Sequence, residues 1–242
     1  MIKSLVINHI QRAHKRYDCE KPDRKLIRSF LNSLCFDYPF LRFVSLYGQM
    51  TVGVPVRIFP YESFMKTPQA ALPRSMDRIL LNPEWAARLF YTRLNWQPNV
   101  AQDMKRIRAA AETELDLKFT LGHEMGHLTY DRGNTNVLLP RKRKKFINWV
   151  NEVFADFYSA QFAMDANRAQ VIATMQRKQK LRRKDTDTVY HPNWSKRIDY
   201  IANYDFSERL IERIAADCKV KERWLIDKVK RWYGFPGGYK VI

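Results

Sequence analysis

Residues 118–128 read Lys-Phe-Thr-Leu-Gly-His-Glu-Met-Gly-His-Leu, and the interpretation of the whole chain turns on them. His123 and His127 stand four positions apart. On an α-helix, positions i and i+4 share a face, so both imidazoles can meet one ion. Neutral imidazole nitrogen binds zinc at about 2.0–2.1 Å, and such a pair supplies two of the three protein ligands of a hydrolytic site. Glu124, beside the first histidine, has the chemistry of a general base for a metal-bound water. With five His among 242 residues, the spelling HExxH is expected by chance about 0.004 times. Phe119, Leu121, Met125 and Leu128 flank the motif with apolar side chains, which predicts a buried helix. Gly126 leaves room for another element to pack closely behind it.

A third ligand is needed, and Glu152 is the best candidate. It lies in the run Asn151-Glu152-Val153-Phe154-Ala155-Asp156, on the next helix that the apolar spacing predicts. An antiparallel helix would bring it under the motif. Asp156 is one turn further on the same face. It is a candidate to accept the second ring N–H of a ligand histidine, which fixes tautomer and orientation, and an ordinary salt bridge is the alternative.

At these residues the chain resembles a family. Lys118–Leu128 resembles the RFTLAHELGHLL signature of ImmA/IrrE-type zinc metallopeptidases, and Glu152-Val153-Phe154-Ala155-Asp156-Phe157-Tyr158-Ser159 resembles their ExEANxFA element. The resemblance implies that His123, His127 and Glu152 bind Zn2+ and that Glu124 activates water. The chain departs from the family between Asn82 and the motif helix, where it is longer, and at Met164-Asp165, where the family often has Met-Pro. A second resemblance adds two residues. Glu152, Ala155 and Asp156, followed by His191-Pro192-Asn193-Trp194-Ser195-Lys196-Arg197-Ile198, are similar to elements of HtpX-like and CAAX-prenyl-protease metallopeptidases. They point to His191 and Arg197 as active-site neighbours, donors that could hold the oxyanion of a tetrahedral intermediate. The bland alternatives are a turn at Pro192 and an ion pair on the last helices. Tyr130 and Tyr158 are weaker donor candidates.

Working outward, residues 4–35 have helical apolar spacing. Residues 41–47 and 52–59 alternate as strands and predict a hairpin, with Pro55 at an edge, and residues 78–81 predict a third strand. From Glu84 onward the pattern is helical: 84–94, one or two helices in 100–130, a long helix or two in 145–180, then 194–203, 207–217 and 221–233. The expected fold is therefore α+β and mostly helical, with a small antiparallel or mixed sheet packed on the HExxH helix in gluzincin-like fashion. The expected organisation is one metallopeptidase domain over 1–242. Within it, 1–40 are an N-terminal helical segment, 41–83 the small sheet, 84–190 the zinc-site helices and 191–242 the C-terminal helices.

Composition sets the outer bounds. Hydrophobic residues make up 45% of the chain, enough for a core. Three cysteines without a CxxC pair argue against a disulfide scaffold or a cysteine-based zinc finger. No apolar run reaches the roughly 18 residues of a membrane span, and Leu5-Val6-Ile7 is too short for a signal peptide, so a cytoplasmic protein is expected. The net charge of +18 favours a nucleic acid, an acidic partner or a membrane surface, with a merely solvated basic surface as the alternative. Arg141 to Lys145 form one basic run and Arg177 to Lys184 another, and along the chain no aromatics interleave with them. There is no Walker A loop, no GxSxG elbow and no GxGxxG fingerprint. The expected activity is zinc-dependent limited proteolysis of a specific intracellular protein, by resemblance a DNA-binding regulator. The alternatives are a zinc-stabilised nucleic-acid or protein-binding module with little hydrolysis, and a toxin- or defence-type protease.

Overall fold

The computed structural model describes residues 2–17, 19–37, 57–60, 70–71, 78–81, 83–95, 104–130, 139–165, 167–180 and 185–235. Nine α-helices run through these residues: α1 (Ile2–Ala13), α2 (Arg24–Asp37), α3 (Pro83–Asn95), α4 (Met104–Tyr130), α5 (Arg141–Tyr158), α6 (Arg168–Lys180), α7 (Trp194–Asn203), α8 (Glu208–Asp217) and α9 (Arg223–Trp232). A 3₁₀ turn, His14–Tyr17, follows α1, and a π-helical turn, Ser159–Ala163, continues α5.

The α+β class expected from sequence is overturned. Helix takes up 78% of the described residues. Among the described residues the strands are β1 (Arg57–Pro60), β2 (Ala70–Ala71) and β3 (Arg78–Leu81). β3 coincides with the third strand expected at 78–81, while 41–47, the partner expected for 52–59 in the hairpin, lies outside the described residues. β1 pairs in parallel with β3, Arg57 opposite Arg78, and β2 runs antiparallel to β3 on its other side. Residues 41–56, which hold the first hairpin strand and Pro55, lie outside the described residues. The turn around Pro39, the break at Gln97-Pro98-Asn99 and the helix stop at Pro236-Gly237-Gly238, which the sequence also predicts, lie outside them too. The physical reason for the correction is that period-2 alternation reports a backbone that would suit a ladder, while the partner strand is set by contacts distant in sequence.

Backbone contacts divide the chain into two units, residues 1–124 and 125–242, with the division inside α4. In the first unit α1 packs on α2 and α3. Val6, Ile7, Ile10 and Ala13 form the buried stripe of α1, meeting Ile27 and Phe30 of α2 and Ala86, Leu89 and Phe90 of α3 in one apolar interior. The Tyr91 hydroxyl donates to the Ile10 carbonyl at 2.6 Å, and its ring stacks on Tyr17 at 4.5 Å. Glu84 closes the same end. It accepts from Arg16 at 3.0 Å and from the Tyr17 hydroxyl at 3.2 Å, and it lies 3.0 Å from His9 Nε2. Burial, then the Glu84 charge, pushes the Tyr17 phenol up to about 12.

The second unit is built around α5, whose Phe146, Ile147, Trp149, Val150, Val153, Phe154, Ala155 and Tyr158 are all buried. A helix hydrophobic nearly all round is one surrounded by others. It packs on α7 and α8, α6 packs on α7, and α8 pairs with α9 through Leu210, Ile211, Ile214, Leu225, Ile226 and Val229. Phe154, Phe206 and Tyr233 form an aromatic cluster with centroids 5.0–5.2 Å apart. Among the described residues no helix is long and apolar enough to cross a membrane.

Candidate metal centre

His123 and His127 sit one turn apart on α4, as the i, i+4 spacing requires. Glu152 comes from the buried stretch of α5 and is 8% exposed. One donor atom from each of the three falls within 4.8 Å of the others. His127 Nε2 and Glu152 Oε1 are 3.4 Å apart. Two ligands of a tetrahedral zinc bound at about 2.0–2.1 Å lie about 3.3 Å from each other, so this pair already stands at ligand spacing. Two imidazoles and a carboxylate also match the donor set of hydrolytic zinc sites. The group could therefore hold a metal ion, and the residues present fit one.

Gly126 explains how a residue of α5 reaches the motif. A Cβ placed there would lie 2.7 Å from the Ala155 Cα and 3.1 Å from the Tyr158 Cβ. No side chain fits that gap. The glycine lets the two helix backbones touch, and Ala155 is three residues beyond Glu152, so the contact sets the height of the carboxylate under His127.

Beside Glu152 lies a second layer of charge. His191 Nδ1 is 2.9 Å from Glu152 Oε2, and Arg197 Nη1 is 3.8 Å from the same oxygen. Arg197, 6% exposed, makes a two-pronged pair with the fully buried Asp156: Nε donates to Oδ2 at 2.7 Å and Nη2 to Oδ1 at 2.5 Å. Asp156, for which both a histidine-orienting role and an ordinary salt bridge were open, thus has Arg197 as a charged partner. The Arg197 guanidinium also lies over the Trp194 ring at 4.3 Å. His191 keeps an exposed side chain, and Glu124 is partly exposed on α4. Tyr158 is buried and stacks on Phe162, and the side chain of Tyr130 is outside the described ones. Sequence reasoning thus led to three donors that do come together, and to three further residues that stand next to Glu152 or to each other.

The segment carrying His191 is held by residues that sequence reasoning missed. Trp149 Nε1 donates to the Thr188 carbonyl at 2.9 Å, and Asn148 Nδ2 to the Val189 carbonyl at 3.1 Å. Lys145 and Lys196 Nζ lie 4.1 and 4.8 Å from the Trp149 ring. Asp185 accepts from the backbone N–H of Trp194 at 2.6 Å and of Ser195 at 3.1 Å, which fastens the segment to the start of α7. Burial pushes the Asp185 carboxyl up, but hydrogen bonds from Trp194, Gln179 and Ser195 outweigh it and hold the group below its ordinary value. Asn193 caps α7, its side chain accepting from the Lys196 N–H at 2.8 Å. Of these, only Asn193 had a local signal, an N-cap residue directly ahead of an apolar helix.

No family model, curated protein or solved structure matches the chain. The reading of the site rests on its own geometry.

Proposed function

We propose that the chain is a zinc-dependent endopeptidase that cleaves a specific protein at few positions. The observation carrying this reading is the convergence of His123, His127 and Glu152, with Glu124 beside the first histidine. A purely structural zinc needs no neighbouring base and is closed by a fourth protein ligand. Among the described residues the cluster has three members, which leaves a position for water and substrate.

When bound, zinc supplies a Lewis acid that brings the pKa of water near 7. The chain's own residues do the rest. Glu124 takes the proton of the attacking water and passes it to the nitrogen of the leaving amine. His191, exposed and beside Glu152, takes the role of donor to the developing oxyanion in this reading, supported by its 2.9 Å approach to Glu152. Arg197 is buried and committed to Asp156, so it acts on Glu152 by position and charge and does not touch substrate. The resemblance to ImmA/IrrE-type enzymes makes a DNA-binding regulator the first substrate class to try.

The test is metal content by mass spectrometry together with hydrolysis of a quenched peptide library. About one zinc per chain is expected in the wild type and in Glu124→Gln, with loss in His123→Ala and Glu152→Ala. Glu124→Gln should keep the metal and lose about 10²–10⁴-fold in rate. A wild type that binds no metal after zinc is supplied would overturn the reading.

A further inference from the structure

We infer that the second unit carries a binding face for single-stranded nucleic acid, made by the first turn of α5, the segment around Tyr190 and the outer side of α9. This inference stands apart from the metal site. Residues 125–242 hold 24 Lys and Arg against 13 Asp and Glu, so most of the chain's excess charge is here. Along the chain the basic run 141–145 has no aromatic company. In space two exposed rings lie beside it. Arg143 lies over Trp224 at 5.4 Å and Lys144 over Tyr190 at 5.5 Å. Lys228 lies over Trp232 at 5.6 Å. Trp224 is 53%, Trp232 44% and Tyr190 58% exposed, unusual for large rings with apolar interiors available to them. Trp224, Lys228 and Trp232 follow one another at i, i+4 and i+8 on α9, so the two indoles stand about 12 Å apart on one helix face.

The charges on this face are of two kinds. Arg143 is paired with Glu222 and Arg223 with Asp227. Lys145 shares Asp187 with Lys196. Arg141, Lys142, Lys144, Lys228 and Arg231 have no carboxylate partner among the described residues. The α5 run also stands at the unfavourable end of its helix. Five cations occupy the first five positions, those of the first turn being repelled by the dipole; no acid is in that turn, and Pro140 offers no side-chain cap. Exposed aromatic faces alternating with unpaired cations are the two components of a single-strand site: bases stack on the rings while phosphates meet the ammonium and guanidinium groups. A membrane surface would call for a contiguous apolar face, and here every exposed ring is separated from the next by a cation. A duplex would use the cations and leave the rings idle.

The experiment is fluorescence anisotropy of the full chain with labelled oligothymidylate of about 20 nucleotides across a salt series, with duplex DNA, polyglutamate and phosphatidylserine vesicles as rival probes. Oligothymidylate should bind most tightly, and five neutralised phosphates give a slope of log affinity on log salt of about −3.5. Trp224→Ala with Trp232→Ala should weaken oligothymidylate about tenfold or more without changing the slope. Lys144→Glu with Lys228→Glu should make the slope shallower. Circular dichroism and a thermal melt confirm that these exposed-site variants are folded, and metal content should not move. Equal or tighter binding of duplex, polyglutamate or vesicles, or affinity for oligothymidylate indifferent to both tryptophans, would overturn the inference.

Discussion

The two ends of α5 handle charge in opposite ways. At the C-terminal end Glu152 and Asp156 are withdrawn from water, with His191 beside Glu152 and the Arg197 guanidinium within 2.5–3.8 Å of both carboxylates. At the N-terminal end Arg141 and Lys142 stand in solvent. The difference teaches where charge carries structure. A buried carboxylate must be matched, because its desolvation is recovered only by a partner in good geometry. An exposed cation is already matched by water, so pairing it changes little and leaving it unpaired keeps it available.

The sharpest way to break that comparison is Arg197→Met. Asp156 would keep its charge with its guanidinium partner gone, and a loss of about 3–5 kcal/mol in urea unfolding is expected. Replacing both, with Asp156→Leu, should recover most of it. If the double variant is as unstable as the single, the pair is not what holds this end together. Gly126→Ala comes next. Its methyl would stand 2.7 Å from a backbone carbon, and about 1–3 kcal/mol of destabilisation is expected, together with weaker zinc retention against a chelator. Zinc retention equal to the wild type would mean the helix contact does not set the height of Glu152.

A smaller effect concerns the segment bearing His191. The Asp185 carboxyl is held below its ordinary 3.8, so it favours the folded state at pH values above that. That contribution declines as pH falls through the lowered folded value. Circular dichroism should therefore show an acid limb below about pH 4 that Asp185→Asn flattens, with the variant about 1 kcal/mol less stable at neutral pH. The smallest change in stability belongs to the exposed end. Glu222→Gln removes a surface partner of Arg143, and the melting temperature should stay put while affinity for oligothymidylate rises.

How much of this was legible beforehand follows from the range of each interaction. The helices of the second unit were, because amphipathic spacing is local. The expected 194–203, 207–217 and 221–233 correspond to Trp194–Asn203, Glu208–Asp217 and Arg223–Trp232. The donors on α4 were legible for the same reason, since four residues decide whether two imidazoles share a face. Glu152 was legible through the apolar residues around it, which mark a carboxylate that could not be an ordinary surface group. Asp156 meeting Arg197 was not, for the two are 41 positions apart and either could pair elsewhere. The rings beside the basic run were hidden in the same way, as Arg143 and Trp224 come together only through the packing of distant helices. The strand at 78–81 was legible, but the pairing was hidden for a related reason. Alternation in 52–59 says that residues suit extended backbone, and it does not say that Arg57–Pro60 will pair in parallel with Arg78–Leu81.

Gly126 has a consequence for how such sites are spelled. The pattern HExxH leaves its third and fourth letters open, and in this molecule neither is open. Met125 is 1% exposed, and the position after it admits nothing larger than hydrogen. Wherever the ligand glutamate arrives on a helix that lies against the motif, the fourth letter carries information of its own. A search that demands a glycine there would discard coincidental matches without losing sites built as this one is.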